Sequence, residues 1–384
     1  MGDVAIRKIL YISGTRADYG LIESVLEKID QHPKLGLEVV ATGMHLMEEF
    51  GYTVKDIKKS FIVHNIDATY EKDDKESMAH FIGIFISLLT QKIKDIKPDI
   101  ILLLGDRGEM LAGAIVGAYL TIPVAHLHGG EVTSTVDEIS RHAITKLAHI
   151  HLVATKASAE RVIKMGEEPW RVHIVGAPGL DKIVHQKLIP KREVFSKLRI
   201  DPSKVTLLVI QHPVTSEIEG SGEQMTQLME AIRELDYQTV LIYPNADSGG
   251  RRIIGVIKRY EKLPFIHAFP SIERHTFVSL MRYADVMVGN SSSGIIEGPS
   301  LGLPVVNIGS RQDGRERGKN IIDAGYGKSE IMRAIKKALT DKEFRRRVKR
   351  CENPYGDGKT GARVVDILSK LRITSRLIQK KLTY

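Results

Sequence analysis

Residues 99–127 read DIILLLGDRGEMLAGAIVGAYLTIPVAHL. Asp99 to Leu104 is a short, continuously apolar run, as a strand buried on both faces requires. Gly105-Asp106-Arg107-Gly108-Glu109 then breaks it, Leu111 to Tyr119 is helical, and Pro123 to Leu127 is a strand again. A strand, a turn, a helix and a second apolar strand form a parallel β-α-β unit. Upstream the same alternation gives a strand over Lys8 to Ser13, a helix over Leu21 to Gln31, a strand over Leu37 to Thr42 and a long helix over Met78 to Ile96. Downstream it gives a helix over Ile139 to Ala148 and strands over Ile150 to Ala154 and Val172 to Val175. Leu180 to Ser203 is charged and helical and interrupts the pattern, which then restarts with strands at Val205 to Gln211, Thr239 to Tyr243, Phe265 to Ala268, Val286 to Val288 and Val305 to Ile308. Helices are expected over Gln224 to Leu235, Ile253 to Tyr260, Phe277 to Tyr283 and Ile295 to Leu301. The fold class is therefore α/β, with two Rossmann-like domains. Ligands of such sheets bind beyond the carboxyl ends of the strands, so two of them facing each other would make a central cleft.

Composition agrees with a globular chain: 384 residues, 42% hydrophobic, 27% charged and 6% aromatic. The net charge of +9 favours anionic partners. Part of the excess lies in Arg345, Arg346, Arg347, Lys349 and Arg350, and in Lys380 and Lys381. No aromatic residues interleave with that run, so it reads as a solvated helix face and no nucleic-acid partner is expected. A single cysteine, Cys351, excludes an intrachain disulfide and a multi-cysteine metal site, and fits a reducing compartment. The amino-terminal apolar run passes straight into Gly14-Thr15-Arg16 without a leader-like apolar region, and the apolar runs are too short to span a membrane. A cytoplasmic enzyme is the expectation.

The motifs sit just after strands. Gly14-Thr15-Arg16-Ala17-Asp18-Tyr19-Gly20 is either an anion-binding turn at a helix start, with Arg16 as a forked donor, or a plain tight turn. It has neither dinucleotide-site nor P-loop spacing. Asp106 is a candidate base or a helix cap. His126-Leu127-His128-Gly129-Gly130-Glu131, followed by Asp137-Glu138 and Arg141-His142, concentrates acids and histidines. Zinc on His126 and His128 is possible in principle, but acid/base work by carboxyl groups in different environments reads better, and no metal is assigned. His212, in Gln211-His212-Pro213-Val214, can titrate near neutrality or donate to phosphate. In Val288-Gly289-Asn290-Ser291-Ser292-Ser293-Gly294-Ile295-Ile296-Glu297 a strand enters a Ser-rich turn and a helix, a cradle for a diphosphate with Glu297 one turn on as an acceptor for ribose hydroxyls.

Together and in this order, these motifs resemble the UDP-N-acetylglucosamine 2-epimerase family, which has the glycosyltransferase-B architecture. The resemblance is strongest to its hydrolysing branch, since Arg-Ala-Asp-Tyr follows Gly14-Thr15 where the other branch usually reads Arg-Pro-Glu. It runs from Gly14 to Asn353-Pro354-Tyr355-Gly356-Asp357-Gly358. It implies domains over 1–185 (sugar and catalytic acids) and 186–365 (UDP), with a helix over 366–384 returning to the first domain. It further implies Asp106, Glu131, Glu138 and His212 as the catalytic set, and Arg16, Arg107, His128, Asn245, Phe277, Ser291, Ser292, Ser293, Gly294 and Glu297 at the substrate. Phe277, or Phe269, would hold uracil. Many members carry Glu at the position of His128, which leaves open which residue is acid or base and whether the sugar is a 2,4-diacetamido-2,4,6-trideoxy hexose. The implied reaction eliminates UDP to a 2-acetamidoglucal and adds water with inversion at C2. It needs no cofactor. The implied assembly is a homodimer or homotetramer. A non-hydrolysing epimerase and a glycosyltransferase of the same fold are the competing enzymatic readings.

Overall fold

The computed structural model describes residues 6–48, 51–68, 75–132, 137–214, 217–244 and 249–384. The chain divides into two compact units. One takes the chain as far as Lys182 apart from a short excursion after Glu131, and then Tyr355–Tyr384; the other is built on Ile183–Pro354.

In the first unit the strands are β1 (Arg7–Ser13), β2 (Leu35–Ala41), β3 (Ile62–Asn65), β4 (Ile100–Leu104), β5 (Val124–Leu127), β6 (Ile150–Val153) and β7 (Val172–Ile174). They pair in parallel in the order β3-β2-β1-β4-β5-β6-β7, so the strand order reverses between β1 and β4. All five residues of β4 are buried, because alternate residues point to opposite faces and both faces are covered. Ile9, Tyr11, Ile100, Leu102 and Leu104 pack with Ile22, Val25 and Leu26 on one face. Leu10, Ile12, Ile101 and Leu103 pack with Phe81, Phe85 and Leu89 on the other.

Val364, Val365 and Leu368, from the helix Thr360–Lys370, complete the first of these cores. Asp181 starts that helix by accepting from the N–H groups of Thr360 at 2.8 Å and Gly361 at 2.7 Å. The return therefore begins at Tyr355, earlier than a boundary at 365, because residues 355–365 carry apolar side chains that the first sheet needs.

In the second unit the strands are β8 (Thr206–Ile210), β9 (Gln238–Ile242), β10 (Ile266–Phe269), β11 (Val286–Gly289), β12 (Val305–Ile308) and β13 (Ile321–Ala324), ordered β10-β9-β8-β11-β12-β13 and parallel. Here the order reverses between β8 and β11. Gly289 ends β11 with φ +127, and a Cβ there would lie 2.0 Å from the Ile210 carbonyl oxygen. Only glycine fits that conformation and that approach. The strands β3 and β13, absent from the sequence reading, are short edge strands whose runs IVHN and IIDA mix polar and apolar residues. Among the described residues no helix is long and apolar enough to cross a membrane.

Candidate active site

The helix Asp137–Leu147 organises the acids of the first unit. Its residues 138, 141, 142 and 145 recur at helical spacing and share one face. Arg141, almost fully buried, makes an ion pair with Asp106 after β4 and donates to the Glu131 carbonyl at 3.0 Å. Glu131 Oε1 lies 2.6 Å from His128 Nδ1. His128 has φ +62, a left-handed conformation that costs a non-glycine residue and concentrates at functional sites. Glu138 lies 3.4 Å from His142. Asp106 and Glu131 are thus held at the ends of neighbouring strands, one by a guanidinium and one by an imidazole.

His126 has a different task from the one its spacing suggested. Its Nε2 reaches the Gly105 carbonyl at 2.7 Å, and Thr145 Oγ1 lies 3.3 Å from Nδ1. A carbonyl can only accept, so the ring carries its proton on Nε2 and accepts from the threonine. Burial pushes its pKa down to about 3, so the ring is neutral and structural. Since His128 turns to Glu131, the two histidines do not converge. Among the described residues no cluster of three His, Cys, Asp or Glu could hold a metal.

The glycine turn after β1 is open to two readings in the sequence, an anion-binding turn or a plain tight turn. It approaches anions, but they belong to the protein. The N–H groups of Gly14 and Thr15 donate to Asp18 Oδ2 at 3.0 and 2.7 Å. Ser13 Oγ, 2.9 Å from His45 Nε2, donates to the same carboxylate. A Cβ at Gly14 would lie 2.3 Å from Glu109 Oε1, so its glycine makes room for a buried side chain. Glu109 in turn takes Arg107 through Nε at 3.2 Å and a terminal nitrogen at 3.0 Å. Arg16 is exposed, 3.4 Å from Asp56.

In the second unit one residue ties three strand ends together. Asn290, completely buried, accepts from the His212 N–H at 2.7 Å and donates to the His212 carbonyl at 2.8 Å. Its own carbonyl accepts from Gln312 Nε2 at 2.7 Å. The turns after β8, β11 and β12 are thereby joined where the strand order reverses, the place at which open α/β sheets bind ligands. Ser291 caps the short helix Ser292–Ile296, accepting from the Ser293 N–H at 3.4 Å. Asn290, the residue before Ser291, thus ties the His212 backbone to the start of the serine turn. Gly294 is not a free donor. Its N–H bonds to the Ser291 carbonyl at 3.2 Å, its carbonyl accepts from Asn320 at 3.2 Å, and a Cβ would lie 3.0 Å from Val305. Its glycine is needed for packing. Glu297 is buried and ion-paired with Arg274, whose guanidinium lies 5.9 Å from the Phe277 ring centre. Asn245 lies outside the described residues.

The motifs contain Arg141 and Asn290 but give them no role, and Gln312 and Arg274 stand outside every motif. The first sits three residues after Glu138, a helical spacing that could have flagged it. Asn290 lies inside the quoted Ser-rich turn. Nothing local marks Arg274, which is 23 residues from its partner.

The profile of the UDP-N-acetylglucosamine 2-epimerase family matches residues 27–369. The chain is 42% identical over 378 residues to a UDP-N,N'-diacetylbacillosamine 2-epimerase (hydrolyzing) of Legionella pneumophila, covering 98% of this chain and 99% of that one. It is 37% identical over 342 residues to a UDP-N-acetylglucosamine 2-epimerase of Neisseria meningitidis serogroup B, covering 88% and 89%. The crystal structure of a UDP-GlcNAc 2-epimerase from Neisseria meningitidis bound to UDP-GlcNAc superposes with a TM-score of 0.80 at 22% identity, covering 95% of this chain and 100% of that one. That likeness speaks to the fold, which is the two-domain α/β fold of these enzymes. The chain belongs to the UDP-N-acetylglucosamine 2-epimerase family, on its hydrolysing branch.

Proposed function

We propose that this chain hydrolyses a UDP-2-acetamido sugar with inversion at C2, and that the sugar is a 2,4-diacetamido-2,4,6-trideoxyglucose. The reaction class rests on Asp106 and Glu131, two carboxyl groups with different partners at adjacent strand ends. The sugar rests on the end-to-end likeness to the Legionella enzyme named for that substrate. UDP-N-acetylglucosamine is the second reading, favoured by the Neisseria relative.

A carboxylate takes the C2 proton while the C1–O bond to UDP breaks. The electron pair of C2–H becomes the C1–C2 double bond, and the pair of C1–O leaves on the β-phosphate. No carbonyl acidifies C2, so stabilising the departing diphosphate must supply much of the rate. Ser291, Ser292, Ser293 and Arg16 take that charge, and His212 donates to the leaving oxygen. Glu297 accepts from ribose, with Phe277 at the base. Water then adds its oxygen to C1, and C2 is protonated from the opposite face. Asp106 and Glu131 handle the C2 protons, with Glu138 supporting. Arg141, ion-paired with Asp106, holds that carboxyl group in place.

Proton NMR in deuterated water tests this with both UDP-sugars. Free UDP and a manno-configured diacetamido sugar deuterated at C2 are expected. Faster turnover of UDP-N-acetylglucosamine would move the assignment to the second reading. A product retaining UDP would refute hydrolysis, and no turnover of either would refute the reaction class.

A further inference from the structure

The last residues of the chain are fastened to the first unit by buried polar contacts that the chemistry above does not use. Arg171, 1% exposed, donates to the carbonyls of Leu377 at 2.8 Å, Arg376 at 2.7 Å and His149 at 3.2 Å. Arg171 and Arg376 both lie against the Trp170 ring, at 4.3 and 4.9 Å. Leu377 is buried beside them.

Beyond this anchor Lys380 reaches the carboxyl end of the helix Asp137–Leu147. Its Nζ donates to the carbonyls of Lys146 at 2.7 Å and Ala148 at 2.6 Å, and lies 2.8 Å from Glu167 Oε2. Glu167 also takes Lys146 Nζ at 2.7 Å and His151 Nε2 at 2.9 Å. A helix leaves its last carbonyls without intrahelical partners and carries partial negative charge there, so an ammonium is the natural cap. This cap comes from a residue more than 200 positions away.

The same helix carries Arg141. Arg141 lies five residues before Lys146, about 7.5 Å along the axis. The helix Asp137–Leu147 is held in its middle by Arg141 on Asp106 and on the Glu131 carbonyl, and in its last turn by Thr145 against His126 and by Lys146 and Lys380 around Glu167. We infer that Lys380 is a positioning residue for the reaction: by capping the helix Asp137–Leu147 it sets where Arg141 holds Asp106. The inference rests on the function proposed above. A displacement of an ångström at a reacting group costs on the order of 100-fold in rate, so a remote cap reads out in kcat.

Lys380→Met removes the ammonium and keeps the stem. It should lower kcat about 10- to 100-fold, leave KM and UDP affinity near wild type, and speed hydrogen exchange at the amides of residues 144–148. Lys380→Arg, which keeps a cationic donor, should restore most of kcat. The double variant E167Q/K380M removes the carboxylate that has lost a partner. Its thermal midpoint should recover while kcat stays low. A Lys380→Met enzyme with unchanged kcat or unchanged exchange would overturn the inference. So would failure of Lys380→Arg to restore kcat, or recovery of kcat together with the midpoint in the double variant. If wild type turned over no UDP-sugar, the proposed function would fall, and the exchange measurement would still decide whether Lys380 caps this helix.

Discussion

Asn290→Ala should loosen the second unit at the point where its strand order reverses. Asn290 is completely buried, and its amide makes two hydrogen bonds to the backbone of His212, at 2.7 and 2.8 Å. Alanine removes both and offers neither donor nor acceptor. Each such bond contributes about 1 to 1.5 kcal/mol net, so local opening of the His212 turn should become easier by about 2 to 3 kcal/mol. That converts to an amide exchange rate at His212 faster by about 30- to 150-fold. Exchange is the right assay because it reports local opening, while a global melt averages two units that need not unfold together. Peptides spanning residues 205–214 isolate the signal, and β4 in the first unit is an internal control that should not change. UDP affinity should fall in parallel, since the Ser291 turn and His212 lose their common brace. A rise of less than about threefold, under 1 kcal/mol, would refute the reasoning and show that His212 is held by something other than Asn290.

Asp106→Asn should cut kcat by about 100- to 10,000-fold, the range for a general acid or base, while UDP affinity holds; substantial turnover in steady-state assays would remove Asp106 from the mechanism. Arg274→Ala leaves the buried Glu297 without its guanidinium and should weaken UDP about tenfold by titration calorimetry, the loss of one charge-assisted contact; unchanged or tighter binding would mean that Arg274 does not prepare Glu297. Acid should destabilise the chain early. Burial holds the pKa of His126 at about 3 and of His149 at about 4, below the ordinary 6.5. Below pH 6.5 the unfolded state therefore binds more protons than the folded one, and stability falls with pH. Burial works to raise the Glu167 carboxyl, but His151, Lys146 and Lys380 hold it at about 2, which adds a further loss from pH 4.5 downward. Urea midpoints between pH 7 and 4 check this, and a flat profile would contradict it.

The two-unit α/β organisation was legible because it depends on local signals. A run such as Ile100 to Leu104 can only be a strand covered on both faces, and the alternation of such runs with helical periodicity fixes a parallel sheet. The strand ends, and so the places where Asp106, Glu131, His212 and Ser291 stand, follow from the same reading. The edge strands β3 and β13 escaped it because an edge strand needs no two-sided apolar pattern.

What only the tertiary structure decided is which groups meet. Sequence makes His126 and His128 neighbours, yet strand pairing sends one to the Gly105 carbonyl and left-handed backbone sends the other to Glu131. Gly14 looked permissive toward a ligand, but the space is filled by Glu109 from the first turn of the helix that follows β4. Asn290 and Asp181 act on partners 78 and 179 residues away, and Lys380 acts across 234. Local sequence carries periodicity, charge and turn chemistry; it does not carry distances between residues far apart in the chain. Hydrogen-bond satisfaction inside a packed core is a property of those distances, and it is there that the caps, clamps and ion pairs of this protein were settled.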